Sequence, residues 1–536
     1  MGQKFRAGDG PDQAMLMPAD PREWLPPGHL AWKVMSLAAE MDLSRFGASR
    51  RRDGQGGRAY DPQMMATLLL YSWCRGRRSS REIEMATFDD VGARIICGGL
   101  HPDHSTVAAF VRRNMGAVLA LLPESVKACA REGLVPLEVV AGDGTKLKAN
   151  AAMAANLTRE QLDARISELE AWIDAEFGRW AADFPDAGED DAVICPGGPG
   201  GGDGPGGGKG KWKKKPARAG QMLQARLAAR ARLDAAAGKG QGKLDARVEQ
   251  LAARVGRKEA AAARWEAEAA ARLEDRARKT AAGQRVPGRR PVASVSEDRD
   301  VRNARQALAK ARADHDAASR QAPAPDPKAR ASPADPSSQV MPLKKGGFDQ
   351  LFNVQALATA RTQVILAITR HPSPADAAAL APLLEKARET LLAAGITDPI
   401  LKALFDAGYA SDANFTLGIP EQLYIAVTRE ARQTGRSPDG RAPQAMLPSW
   451  QEMAARLATP EGRALYKQRA ATIEPVFAQL TARLGRTLHY RGALIDAELA
   501  LWAASHNILK AITARSRQPA RQARTATTAA AAPAAA

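Results

Sequence analysis

Between about residues 158 and 335 the chain changes texture, from a mixed sequence to one dominated by Ala, Arg, Glu and Gly, and this break decides how everything around it can fold. Just before it, Leu137 to Ala141 is a short apolar, partly β-branched run ending at Gly142-Asp143-Gly144, which suits a buried strand running into a turn. After it come four more strand-like segments: Phe352 to Leu357, Val364 to Thr369, Ile400 to Asp406 and Leu423 to Val427. A helix built on Leu380, Leu383, Leu384 and Ala387 separates the second from the third. The pattern predicts one α/β domain whose first strand is cut off from the rest by a long insertion.

The insertion itself reads as helix. Thr158 and Gln161 form a capping box, and Leu162, Ile166, Leu169 and Ile173 follow at four- and three-residue steps. The spacing returns at Leu244, Val248, Leu251 and Val255, and at Val301, Ala304, Leu308 and Ala311, so antiparallel helical hairpins or a coiled coil are expected. A Gly-rich stretch, Pro196 to Lys215, and a Pro-rich one, Pro323 to Pro336, read as flexible linkers. Ahead of the first strand, apolar positions recur at helical spacing through Met64, Leu68, Leu69 and Tyr71, and through Val107, Phe110 and Val111 behind an N-cap at Asp103. The expected organisation is a flexible N-terminus (1–27), a helical domain (28–132), an α/β domain in two pieces (133–157 and 336–515), the helical insertion (158–335), and a tail (516–536) without regular structure.

Lys and Arg total 77 against 59 Asp and Glu, a formal charge of +18. That surplus favours a polyanionic partner, nucleic acid first. Met1 to Arg22 lacks the apolar run of a signal peptide, and the longest apolar stretch, Met64 to Cys74, is too short to cross a bilayer, so a soluble cytoplasmic protein with no membrane partner is expected. Cys74, Cys97, Cys129 and Cys195 lie far apart without a CxxC pair and read as reduced, mostly buried thiols. The Gly-rich run lacks the GxxxxGK[ST] order of a phosphate loop, which removes the case for ATP binding. Its basic end, Lys209 to Lys215 around Trp212, suits either a DNA-backbone clamp or a solvated loop.

Three acids occupy positions that a sheet and a helix could bring to one place. Asp143 follows the first strand, Asp406 ends a later one within Phe-Asp-Ala-Gly-Tyr, and Glu474 lies on a late helix. Such an all-oxygen set suits a hard cation, Mg²⁺ or Mn²⁺. Two ions about 3.5 to 4 Å apart can activate a water or 3′-hydroxyl and stabilise the leaving oxygen of a phosphodiester. Singly, each acid also has a structural reading: Asp-Gly is common in turns, Asp406 could cap a helix, and Glu474 could be one charge on a solvated face.

Taken together, the segments resemble the DDE transposases of bacterial insertion sequences, in the group with a Tyr-Arg-Glu-Lys signature around the last acid. Gly142-Asp143-Gly144-Thr145-Lys146 through Ala149-Asn150 is similar to the family's first-aspartate motif, and Gly347-Phe348 with Phe352-Asn353-Val354-Gln355 to its second-strand motif. Asp406-Ala407-Gly408-Tyr409 resembles the second-aspartate motif; Tyr466, Arg469, Glu474, Arg491-Gly492 and His506-Asn507 fit the C-terminal block. Tyr60-Asp61-Pro62, Arg77 to Glu82 and Pro102-Asp103-His104-Ser105-Thr106 resemble the N-terminal transposase domain. The resemblance implies a ribonuclease H-like catalytic core split by the insertion and preceded by an all-helical DNA-binding domain. It further implies catalysis and metal binding by Asp143, Asp406 and Glu474, with two Mg²⁺ or Mn²⁺ ions, and action on terminal inverted repeats and target DNA by a nucleoid-associated homodimer. DNA contacts would fall to Tyr466, Arg469, Arg491, Lys146, His104 and Ser105, although Tyr466 also suits a core position and capping alone accounts for Ser105. The family's lysine after the glutamate falls at Thr481, and Arg483, the nearest cation, is counted among the DNA contacts. A nuclease without strand transfer, or a DNA-binding protein that has lost catalysis, uses the same framework and stays open.

Overall fold

The computed structural model describes residues 20–47, 59–183, 215–282, 294–319, 329–343, 346–427 and 448–530. The chain divides into two compact units, one made of Met1–Ala151 with Ser337–Ala536 and the other of Ala152–Pro336.

The first unit opens with helices α1 (Leu30–Ala39), α2 (Pro62–Cys74), α3 (Ser80–Asp89), α4 (Val91–Ile96), α5 (His104–Arg113) and α6 (Met115–Arg131). Their starts are written in the sequence. Asp61 accepts from the Met64 N–H at 2.9 Å ahead of Pro62, Ser79 and Glu82 form a reciprocal capping box, and Asp103 accepts from Ser105 and Thr106 N–H groups. Each such cap contributes about 1 kcal/mol. Helix α2 is buried on every side from Met65 to Cys74, so it forms the centre of the bundle. Strand β1 (Val139–Lys148) follows.

The second unit contains β2 (Leu157–Thr158), α7 (Arg159–Asp183), α8 (Lys215–Ala281), α9 (Arg299–Ser319) and β3 (Arg330–Ala331). The Thr158–Gln161 box is closed in both directions, at 3.1 and 3.3 Å, and starts α7. Leu162 and Ile166 on α7 and Val301 and Ala311 on α9 are buried, while Glu259 and Glu266 on α8 pair with Arg312 and Arg305 on α9. The end of the Pro-rich stretch departs from the expected linker: Arg330 and Ala331 pair with Thr158 and Leu157, and Ser332 and Asp335 are buried. Residues 196–214 and 320–328, with Trp212, most of the lysine cluster and Cys195, lie outside the described residues, as do 1–19.

The first unit resumes with β4 (Gln339–Pro342), β5 (Phe348–Thr359), β6 (Ile365–His371), α10 (Leu380–Ala393), β7 (Lys402–Phe405), α11 (Asp412–Phe415), β8 (Gln422–Ile425), α12 (Pro448–Ala458), α13 (Pro460–Leu484) and α14 (Leu494–Ala530). One six-stranded sheet runs β4-β5-β1-β7-β8, with β6 also on β5. Strand β5 is antiparallel to β1, β4 and β6, whereas β1, β7 and β8 are mutually parallel. Helix α10 packs on β5 and β6, α13 on β1, β5 and β7, and α14 on α2, α6 and β6. The unit is therefore α/β with a mixed sheet.

Two expectations are corrected here. Gly142-Asp143-Gly144 is no turn: β1 continues through it to Lys148, paired with β5 in register Asp143 to Ala356. The glycines answer a packing demand, since a Cβ at Gly142 would stand 2.3 Å from Cε1 of Phe405 and one at Gly144 2.5 Å from Nε2 of Gln355. The tail from Ser516, expected without regular structure, continues α14 to Ala530.

Candidate active site

Parallel pairing of β1 with β7 ends at Ala141 opposite Leu404. Asp143 and Asp406 each lie two residues beyond that pair. With side chains alternating faces along a strand, equal offsets on neighbouring parallel strands bring the two carboxylates to the same side. Their mutual effect agrees: burial first, and then the charge of Asp406, push the Asp143 carboxyl above the usual carboxylate range. Gly144 N–H donates to Asp143 Oδ1 at 2.8 Å and Gly408 N–H to Asp406 Oδ1 at 2.9 Å.

The third element is α13. Arg469 donates from Nη1 to Asp143 Oδ2 at 3.1 Å and places Nη2 3.8 Å from Glu474 Oε1. One guanidinium thus spans two of the three predicted acids. Glu474 is 63% exposed, against 22% for Asp143, so it stands at the solvent side of the cluster. Pro475 follows it within the helix and cannot donate to the carbonyl of Ala471, and Gln363 Nε2 takes that carbonyl at 3.1 Å. Gln363 sits in the β5–β6 turn at φ 59°; its carbonyl meets His506 Nε2 at 2.9 Å and its side-chain oxygen accepts from Lys510 Nζ at 2.9 Å. This residue, which periodicity could not single out, fastens the helix bearing Glu474 to the sheet and to α14. The neighbouring motif residue Asn507 caps the edge of β6, donating to Ile365 O and accepting from its N–H, both at 2.9 Å.

The remaining predicted residues distribute unevenly. Tyr466 is half-buried on α13, three residues before Arg469. Lys146, three positions after Asp143 on one strand, falls on the other face, with Nζ 3.4 Å from the Pro342 carbonyl. Arg491 folds back on the segment after β1, donating to Asn150 O at 2.7 Å and to Asn150 Oδ1 at 3.2 Å. The Ser105 hydroxyl bonds to Asp103, in keeping with the N-cap reading, and His104 Nδ1 pairs with Glu84 of α3 at 2.8 Å. Arg483 departs from the expected DNA contact: it is turned inward, donating to Ser505 Oγ at 3.1 Å beneath the Gly76 backbone, and burial lowers its basicity. Thr481 is half-exposed and bonds back to Phe477 O at 2.8 Å. Missed altogether was Asp376, whose carboxylate accepts from Asn353 Nδ2 and Gln355 Nε2, each at 2.8 Å.

Among the described residues no three His, Cys, Asp or Glu side chains converge tightly enough to ligate one ion by themselves. The donor set still suits a hard cation, because Asp143 and Asp406 are brought to one side of the sheet, near enough for their charges to interact, and every candidate donor atom is oxygen. Cys74, Cys97 and Cys129 are buried, and burial pushes each thiol up to about 12, well away from reactivity. No helix among the described residues is long and apolar enough to cross a membrane.

Comparison with known proteins gives two family matches. Residues 19–113 match a family described as Transposase domain (DUF772), and residues 442–512 one described as Transposase DDE domain. No curated protein and no solved structure matches the chain. The first match covers α1 to α5; the second covers α12, α13 and the first half of α14, with Arg469 and Glu474 inside it. The two matched segments, on either side of the strands that carry Asp143 and Asp406, support a DDE transposase of the insertion-sequence type.

Proposed function

We propose that this transposase binds the terminal inverted repeats of its own insertion sequence, cuts DNA there and joins the freed end to target DNA, using a ribonuclease H-like core. Asp143, Asp406 and Glu474 would hold Mg²⁺ or Mn²⁺, which when bound supplies Lewis-acid activation of a water or 3′-hydroxyl and neutralises the leaving oxygen. The observation that supports the reading most is the equal offset of Asp143 and Asp406 on neighbouring parallel strands, with Arg469 reaching from one toward Glu474. A mixed sheet in which only the second strand of the core runs against the others fits that fold as well.

The chain's own groups have separate tasks. Asp143 and Asp406 form the fixed part of the ligand set, tied by Gly144 and Gly408 N–H groups. Arg469 holds Asp143 in place and offsets part of the negative charge of the three acids. Tyr466, one turn earlier on α13, would contact the DNA end beside Arg469. The helical domain of α1 to α6 would carry sequence-independent and repeat-specific DNA contacts, within a homodimer at the paired ends.

The test is end cleavage and strand joining on a labelled duplex containing the inverted repeats that flank the gene, with Mg²⁺ or Mn²⁺. Asp143→Ala, Asp406→Ala and Glu474→Ala should each abolish cleavage while leaving repeat binding within a few-fold, since remote phosphate contacts are untouched. Full activity in any one variant removes that acid from the site; cleavage without joining would make the protein a nuclease.

A further inference from the structure

We propose that Asp376 is a positioning residue for the metal-binding carboxylates, bracing from behind the two glycine backbones that flank Asp143 and Asp406. The inference rests on the reading that those two aspartates hold the divalent cation.

Asp376 lies between β6 and α10, in the segment that ends at the first turn of α10. Its Oδ1 is held by two amides from β5, Asn353 Nδ2 and Gln355 Nε2, each at 2.8 Å. Both amide residues are buried, Asn353 to 2% and Gln355 to 0% exposure. Asn353 Nδ2 also donates to Ser373 O at 3.0 Å, and Gln355 Nε2 to Asn353 Oδ1 at 3.0 Å. Gln355 Oε1 accepts from the hydroxyl of Tyr409, a buried ring three residues after Asp406 that packs 4.8 Å from Phe405. One hydrogen-bonded chain therefore runs from the β6–α10 segment, across β5, to the loop that carries Asp406.

The contact with the two glycines gives the network its direction. A Cβ at Gly144 would lie 2.9 Å from Asp376 Oδ1, and one at Gly408 would lie 3.1 Å from Asp376 Oδ2 and equally 3.1 Å from Asp406 Oδ1. Only bare backbone lets the Asp376 carboxylate lie against both positions. Gly144 faces the side of β1 opposite to Asp143, so Asp376 presses on the strand from behind the site. Among the described residues no Lys, Arg or His pairs with Asp376. Its charge, added to those of Asp143 and Asp406, holds the Tyr409 phenol far above its usual range, burial being the larger cause. Three carboxylates with one guanidinium leave net negative charge in a half-buried place, which a divalent cation would relieve. Partners behind metal ligands typically change metal affinity by about 10- to 100-fold when replaced.

Asp376→Asn separates charge and orientation from folding. Its side-chain oxygen can keep the two amide donors, while the negative charge that lies against the Gly144 and Gly408 backbones is removed. Mn²⁺ binding to the full chain, without DNA, is measured by calorimetry, alongside the melting temperature in EDTA and repeat binding in metal-free buffer. The expected result for Asp376→Asn is a Mn²⁺ Kd raised about tenfold or more, with melting temperature and repeat binding as in the parent protein. Gly408→Ala, which drives a methyl between the two carboxylates, should act in the same direction. Asp406→Asn serves as reference. If Asp406→Asn loses Mn²⁺ binding while Asp376→Asn and Gly408→Ala stay within twofold of the parent, the Asp376 inference is overturned and the metal assignment stands. If Asp406→Asn also keeps Mn²⁺ binding, the metal assignment falls and takes this inference with it. A drop of several degrees in the EDTA melting temperature of Asp376→Asn would make the residue structural and overturn the proposal equally.

Discussion

Gly142→Ala is the smallest change that should damage both the fold and the site. Gly142 is buried on β1, and the added Cβ would stand 2.3 Å from Cε1 and 2.9 Å from Cδ1 of Phe405, and 3.1 Å from Leu357 Cδ1. Carbon atoms pack at about 3.5 to 4.0 Å, so the Phe405 ring must retreat by more than about 1 Å. Its room is limited: Phe405 is fully buried and its ring packs 4.8 Å from that of the buried Tyr409. Overpacking of this kind costs about 1 to 3 kcal/mol. Because Phe405 directly precedes Asp406, the retreat also displaces a predicted metal ligand, and a misplacement of about 1 Å in a catalytic constellation costs on the order of 100-fold in rate. Urea unfolding followed by circular dichroism reads the first effect, and end cleavage the second. Phe405→Leu in the Gly142→Ala background should recover part of the stability, with a coupling of about 1 kcal/mol or more between the two sites. Gly116→Ala is the control, since nothing lies within 4 Å of that exposed position in α6, and it should stabilise by about 0.5 to 1 kcal/mol. A Gly142→Ala protein within 0.5 kcal/mol of its parent (about the noise for neutral surface changes) and within twofold in rate would refute the packing argument.

Thr481→Lys should raise end cleavage by about tenfold, because the half-exposed Thr481 hydroxyl bonds only to its own helix and an added phosphate contact contributes about 1 to 3 kcal/mol; an unchanged rate would show that no phosphate reaches this face of α13. Burial pushes His506 down to about 3, so between pH 6.5 and that value the unfolded chain binds one more proton there than the folded one, and stability falls as pH falls, by about 1.4 kcal/mol per unit. His506→Gln should flatten the urea-derived stability profile between pH 6.5 and 5, and an equal slope in both proteins would place the acid sensitivity elsewhere. With 77 Lys and Arg against 59 acids, repeat affinity should fall with salt at a log-log slope of about −0.9 per neutralised phosphate, and a flat response would count against DNA as the partner.

Local chemistry was legible where one residue type answers one local need. Asp103, and Thr158 with Gln161, start helices through their own side chains, and Leu380, Leu383, Leu384 and Ala387 are all buried as one face of α10. The opposite faces of Thr481 and Arg483, two residues apart on a helix, also follow from periodicity alone. What periodicity could not supply was tertiary demand. Gly-Asp-Gly carries turn chemistry, and only the size of Phe405 and the reach of Gln355, both distant in sequence, make it strand. Arg483 looks like any surface cation until Ser505 and Gly76 are seen around it. Asp376, in the sequence His-Pro-Ser-Pro-Ala-Asp, reads as one more loop acid, and its importance lies in two glycines far away along the chain. Strand β4 ends on Pro342 at the sheet's margin, where a short run with a proline gives no strand signal.

The same registers explain how a domain tolerates so long an interruption of its first strand. Lys148, the last residue of β1, pairs with Leu351 of β5, and Gln339, the first residue of β4, pairs with that same Leu351 from the other side. The chain therefore leaves the first unit and re-enters it on strands separated by one intervening strand, a distance of about 10 Å at the usual spacing. Whatever folds between those two points need only begin and end near each other, and the closure cost to the first unit grows only with the logarithm of the inserted length. The exit is held independently of the insertion: Lys148 N–H donates to Arg486 O at 2.8 Å, Leu488 N–H to Lys148 O at 2.8 Å, and Asn150 is gripped by Arg491 and by its own bond to His489 O at 2.7 Å. Those contacts come from the segment between α13 and α14, within the residues matched to the DDE domain. The motif arginine Arg491 thus secures the end of β1 beyond Asp143, so that the geometry of the first carboxylate depends on the C-terminal part of the chain.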